Sequence, residues 1–302
     1  MAMCGLALAL AALGNLLLPL ENGTTIRYIC GALSLLVLVI FALKLFLDRG
    51  HASEELKTPV PLSVLPTATM TIMLLSTYIR PHLPNVALIT WYAAIIVHVL
   101  IMLVFIKRFV MGFQLGTVFP SWFIAGVGIV AASVTAPAMN AILIGQIAFY
   151  VGFVCYFAIL PLVVLRMNKV RVFPEPARKT VAIFTAPMSL LIVGYFQSFV
   201  SQEQGQPILI YFMLAIAALS YIYVTFMMFS LLKIKFYPTY AAFTFPYVIS
   251  ALAFRAGANF LVNRHGFDFL INIADATMWA AVVLVVFVCV HYIKYFRFWL
   301  RF

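Results

Sequence analysis

Ten stretches of this chain are dominated by apolar residues, at about residues 2–19, 28–48, 60–79, 85–106, 119–138, 141–165, 178–199, 207–232, 239–257 and 270–293. A helix needs about 20 predominantly apolar residues to cross the hydrocarbon of a bilayer. Hydropathy therefore predicts ten spanning helices. Their texture alternates. The even-numbered stretches are mostly smooth Leu, Ile, Val and Phe, as suits a helix facing lipid. The odd-numbered ones are interrupted by Pro, Gly, Ser and Thr.

The interruptions are specific. The third stretch carries Pro66 flanked by Ser63, Thr67 and Thr69. The fifth carries Ser121, Gly126, Gly128, Ser133 and Thr135. The seventh carries Thr185, Pro187 and Ser189, and the ninth Thr244, Pro246 and Ser250. A proline within a helix removes a backbone hydrogen bond and bends it. In a membrane that is tolerated where protein or water satisfies the freed group. Tight packing through small residues explains one such helix. Their recurrence at odd positions predicts two layers, with the broken helices inside around a route through the membrane.

Composition agrees. The 302 residues are 66% hydrophobic and only 9% charged, with a mean hydropathy of +1.12; soluble domains are about a quarter charged. Ten spans leave loops too short for a second folded domain, so residues 1–302 read as one all-α polytopic transmembrane domain. The apolar excess continues along the whole chain, which disfavours a cleaved signal peptide. The net charge of +11 would suggest nucleic acid in a soluble protein; here it is read as loop charge, with lipid rather than nucleic acid as the partner. With the N-terminus inside, fifteen of the 19 Lys and Arg fall on the inner side and four outside. Both termini are therefore expected in the cytoplasm of a multi-pass plasma or cell inner membrane protein. The most basic loop, "RMNKVRVFPEPARK", has Pro174 and Pro176, which predict an extended turn attracted to anionic lipid.

Catalytic signatures are missing: the sequence has no HExxH, GxSxG, GxGxxG or Walker motif. Cys4, Cys30, Cys155 and Cys289 have no metal-ligand spacing and read as buried thiols. His98, alone on an even stretch, reads as a packed or hydrogen-bonded histidine. Asp275 is expected near the outer interface. No enzyme, cofactor or metal is predicted.

At the kinked stretches the chain resembles the tellurite-resistance/dicarboxylate transporter family. The strongest landmark is "AAFTFP" in the ninth stretch; "TAPMSLL", "VLPTATM", "FPSWF" and the basic-aromatic "YIKYFRFWLRF" occur in the family's order. Two departures are visible. Gly5 is followed by "LALALAAL" where the family often has a proline, and Ala125, beside Gly126, stands where it often has another. The resemblance implies five helical hairpins, with odd helices forming an inner pore and even helices an outer ring. It also implies homotrimers in which each protomer has its own pore, and passive, voltage-independent flow of small inorganic anions. An aromatic at the position of Phe245 plugs the pore in the family.

The physics of the residues suits that expectation. No Lys or Arg is fixed at mid-membrane on the odd stretches, and conduction needs sites weak enough to release the ion. Hydroxyls and kink amides offer weak contacts, while Arg255 adds charge at the outer mouth. Such a pore should favour easily dehydrated anions, nitrate or iodide over chloride and chloride over fluoride. The competing readings are a carrier of C4-dicarboxylates such as malate, a tellurite-resistance or drug-efflux protein, an intramembrane enzyme, and a non-conducting relative. The carrier reading would require Arg255 to face the lumen centrally.

Overall fold

The computed structural model describes residues 1, 3–169, 174–233 and 235–299, except the side chains of Pro176 and residues 296–299. Part of the basic loop (170–173) and the end of the basic-aromatic tail (300–302) thus lie outside the described residues.

Every regular element among the described residues is helical: α1 Met3–Leu16, α2 Gly23–Leu47, α3 Arg49–Glu55, α4 Pro59–Val64, α5 Pro66–Ile79, α6 Pro84–Phe105, α7 Trp122–Val127, α8 Val130–Thr135, α9 Ile142–Lys169, α10 Glu175–Arg178, α11 Ala186–Ser198, α12 Pro207–Leu231, α13 Phe245–His265 and α14 Phe269–Trp299. Prolines open many of them. Pro59, Pro66, Pro84, Pro187, Pro207 and Pro246 all sit in a first turn, where the missing N–H costs nothing and the fixed φ suits a helix.

Eight helical segments among the described residues are long and apolar enough to cross a membrane. Two of the ten expected spans fall short. The first is only 14 residues, α1, or about 21 Å at 1.5 Å per residue, against a hydrocarbon core of about 30 Å. A turn through Asn22 at positive φ ends it early. The fifth is split into the six-residue α7 and α8 around Gly128 and Ile129, where Ala131 N–H donates to the Gly128 carbonyl and Ala132 N–H to that of Ile129. These are 3₁₀-type bonds, tighter than an α turn.

The seventh and ninth expected spans are continuous but compound. Each begins as a 3₁₀ helix, Lys179–Thr185 or Pro238–Phe243, and becomes α-helical beside its proline. The kinks predicted at Pro187 and Pro246 are thus changes of helix type, with the proline in the first turn of the α half.

Packing separates two groups. α1, α5, α8, α11 and α13 contact one another in sequence around a closed ring, with α13 returning to α1. Each also packs against the long helix that follows it: α2, α6, α9, α12 and α14 respectively. Burial follows the same division. In the long segments 59–79, 179–202 and 238–265, 56–78% of the most apolar window is buried, against 22–39% in the segments built on α2, α6, α9, α12 and α14. α1 is buried almost throughout. The exposed faces of the second group are Leu, Ile, Val and Phe, as at Ile96, Leu100, Val154, Leu219 and Val283; such surface is at home only against lipid or another apolar chain.

A cavity enclosed by the kinked segments

A cavity of about 330 Å³ lies inside the ring. All five broken segments line it. α1 contributes Gly5 and Leu8; α4 and α5 contribute Val64, Thr67 and Met70; α7 and its C-terminal end contribute Phe123, Val127 and Gly128. The seventh span contributes Thr180, Pro187 and Leu190, and the ninth contributes Pro238, Ala241, Phe245 and Pro246. Among the described residues, none of α6, α9, α12 or α14 lines it, and α2 supplies only Lys44 from its last turn.

The wall is mostly apolar. Its charged side chains are Lys44 and Glu55, 4.0 Å apart at one end; His51 Nε2 stands 3.3 Å from the same carboxylate. This marks the end near α3 as the mouth. The lining comes from the first halves of the broken segments, reaching as far along them as Leu8, Met70, Gly128, Leu190 and Pro246. Phe245 is the first residue of α13 and only 8% exposed.

Of the residues singled out in the sequence, Gly5, Thr67, Gly128, Pro187, Phe245 and Pro246 stand in this wall. The others lie outside it, and most of their polar groups are occupied. Ser189 and Ser250 share a hydrogen bond of 3.0 Å, and both hydroxyls also lie within range of the Thr185 carbonyl, at 2.8 and 3.2 Å. The Thr185 and Thr244 hydroxyls donate to the carbonyls of Ala182 and Ala241, three residues back. This hydroxyl clamp fastens the two compound helices at their changes of type, re-satisfying backbone groups beside the prolines. Ser63 donates to Ser121 at 2.7 Å, tying α4 to the entry of α7. Ser133 reaches the Gly194 carbonyl and Ser198, joining α8 to α11, and Thr135 accepts from Trp91 Nε1 of α6. Pro66 begins α5 and its carbonyl accepts from Thr69. A Cβ on Gly126 points away from the cavity, 2.7 Å from Ile159 Cδ1 of α9. These residues shape the cavity from behind.

Arg255 lies beyond the cavity in the second half of α13 and is ion-paired with Asp275 of α14. It does not face the cavity centrally. His98 is fully buried on α6. Thr69 donates its own proton to the Pro66 carbonyl and so accepts from His98 Nδ1–H at 2.8 Å. The imidazole stands directly behind the cavity wall, where a Cβ on Gly128 would meet Met70 Sδ at 2.9 Å and His98 Cε1 at 3.0 Å.

The short helix α3 and its Glu55 were not anticipated. A signal was present. Asp48 caps α3 by accepting from His51 N–H, and the pair Glu54–Lys57 at helical spacing closes its end at 2.6 Å. Lys44 had entered the sequence reading only as loop charge.

Apolar outer faces, eight segments of spanning length and a hollow inside the buried ring define a multi-pass integral membrane protein. The chain belongs to the SLAC1 family, described as voltage-dependent anion channel, which it matches over residues 1–296; this is the tellurite-resistance/dicarboxylate transporter family. A comparison with curated proteins gave no match. Members of the family are channels or transporters, and membership points to anion channel or transporter activity here.

Proposed function

We propose that the protein is an anion channel whose conduit is the cavity inside the ring, closed at its deep end by the ring of Phe245. The observation that carries this reading is the shared lining: all five kinked segments meet at one hollow, and Phe245 is part of its wall. On this reading the chain crosses the membrane ten times as five hairpins. α1 and the α7–α8 pair are the short inner crossings, and both termini lie in the cytoplasm.

The wall supports conduction rather than tight binding. Between its mouth and Phe245 it offers hydroxyl and backbone groups but no fixed Lys or Arg, so an anion is held weakly and released. The pairing of Arg255 with Asp275 occupies the cation that the carrier reading requires to face the lumen. Weak contacts return little hydration energy, which gives the order nitrate and iodide above chloride, and chloride above fluoride. Homotrimers with one pore per protomer complete the proposal.

Planar-bilayer recording of purified protein tests it. Unitary currents that reverse at the anion equilibrium potential, in that order of permeability, are expected. Saturating, slow turnover without unitary events, or fluoride passing fastest, would refute the reading.

A further inference from the structure

A second groove lies on the outside of the helical bundle, near the mouth of the cavity. Its volume is about 540 Å³. One wall is the apolar face of α6, including Val97, Leu100 and Val104, and the opposite wall includes Leu45 of α2 and Leu62 of α4. Three cations line it along α3, Arg49 at the first residue of the helix and Lys57 and Arg108 at its far end. Lys57 is paired with Glu54. The two guanidiniums have no carboxylate within ion-pair distance among the described residues. Arg49 donates to the Phe46 carbonyl and rests on its ring, and Arg108 donates to the Leu56 carbonyl at 3.1 Å.

We infer that this groove binds a phospholipid with an anionic headgroup, its acyl chain against α6 and its phosphate between Arg49 and Arg108. Two features select that occupant. The apolar length is continuous with the lipid-facing surface of α6, where Leu100 and Leu103 are more than half exposed. Arg49 and Arg108 carry charge that no carboxylate among the described residues offsets, and guanidiniums are suited to planar, bidentate contact with phosphate oxygens. Basic pockets between spanning helices are places where acidic headgroups are held.

The site bears on the mouth through α3. Arg49, Ala52, Ser53 and Leu56, at helical i, i+3, i+4 and i+7, line the groove. Glu55, on the other side of the helix, lines the central cavity and meets Lys44. A lipid in the groove thus fixes the helix that positions the only carboxylate among the described residues of the cavity wall.

Native mass spectrometry on purified protein tests the inference, with phosphatidylglycerol and phosphatidylcholine of identical acyl chains. Phosphatidylglycerol should bind more tightly. Each cation near an acidic headgroup contributes about five- to sixfold, so the double variant Arg49→Gln/Arg108→Gln should lower its affinity roughly thirtyfold and leave phosphatidylcholine unchanged. Leu100→Trp, which fills the groove and keeps both arginines, should weaken both lipids. Thermal melting of each variant establishes that it is folded. Equal binding of the two lipids by the wild type would overturn the assignment, as would an undiminished preference in the folded double variant. Displacement of phosphatidylglycerol by inorganic phosphate alone would show a free-anion site and overturn it too.

Discussion

Replacing Phe245 by Ala isolates the proposed closure. The ring is 8% exposed and belongs to a residue of the cavity wall, one residue before Pro246 and at the change from 3₁₀ to α geometry. Opening requires the ring to leave its contacts. Fully burying a Phe side chain is worth roughly 1.5–3 kcal/mol. If that energy holds the closed arrangement, the open form is about 0.6–8% of the population. Removing the ring then raises anion flux by roughly tenfold to a hundredfold, the inverse of that fraction. Phe245→Leu, which keeps part of the apolar bulk, should fall between. Chloride or iodide efflux from liposomes reconstituted at equal protein density measures this, with size-exclusion profiles confirming a folded variant. A folded Phe245→Ala protein whose flux equals that of the wild type would refute the reasoning, because the ring would then close nothing.

Three further outcomes follow from the packing behind the wall and from the charge pattern. Ser189→Ala and Ser250→Ala should each lower the melting temperature in detergent, and the double variant should fall by less than their sum. Their coupling is expected to be about 0.6 kcal/mol, the usual scale for hydrogen bonds between membrane helices; strict additivity would deny the clamp. Gly128→Ala places a methyl carbon 2.4 Å from the Ile124 carbonyl oxygen and against Met70 and His98 and should cost about 1–3 kcal/mol through overpacking, read as a lower melting temperature; unchanged stability would contradict that close approach. The five inner segments carry no Asp, Glu, Lys or Arg between residues 3–16, 59–79, 122–139, 180–198 and 238–254. With no charge in those stretches to move through the field, and with Lys179 and Arg255 held by the Lys235 carbonyl and by Asp275, open probability in steady recordings should change little with voltage, although the family is described as voltage-dependent. A steep sigmoidal dependence would contradict this.

Much of the architecture was legible because lipid imposes one strong rule, that exposed helices be apolar. The smooth texture of the even stretches is that rule, and α2, α6, α9, α12 and α14 are the long, exposed helices it predicts. The broken texture of the odd stretches marked segments buried in protein, and those segments enclose the cavity. Their internal form was not legible. Hydropathy sums over a window and does not register helix type, so the 3₁₀ halves before Pro187 and Pro246 and the split at Gly128 escaped it. α1 was overestimated for the same reason: Leu17, Leu18 and Leu20 extend the apolar run beyond the helix.

The site divides in the same way. Residue types that soften a helix were readable, but which of them face the hollow depends on rotation about each helix axis. Thr67 faces it, whereas Ser121, Ser133 and Thr135 are turned toward neighbouring helices. The charged end was missed because α3 is too short and too polar to stand out among apolar runs, and its Glu55 reaches the cavity only through the fold.

The most direct test of the conduit is thiol modification in a channel whose four native cysteines have been replaced and whose Phe245 is Ala. Thr67→Cys places a thiol in the cavity wall, and Ile96→Cys places one on the exposed face of α6. A water-soluble methanethiosulfonate should modify Thr67→Cys and abolish anion current, while Ile96→Cys keeps its current. Full modification of Thr67→Cys with current unchanged would show that anions do not pass through this cavity.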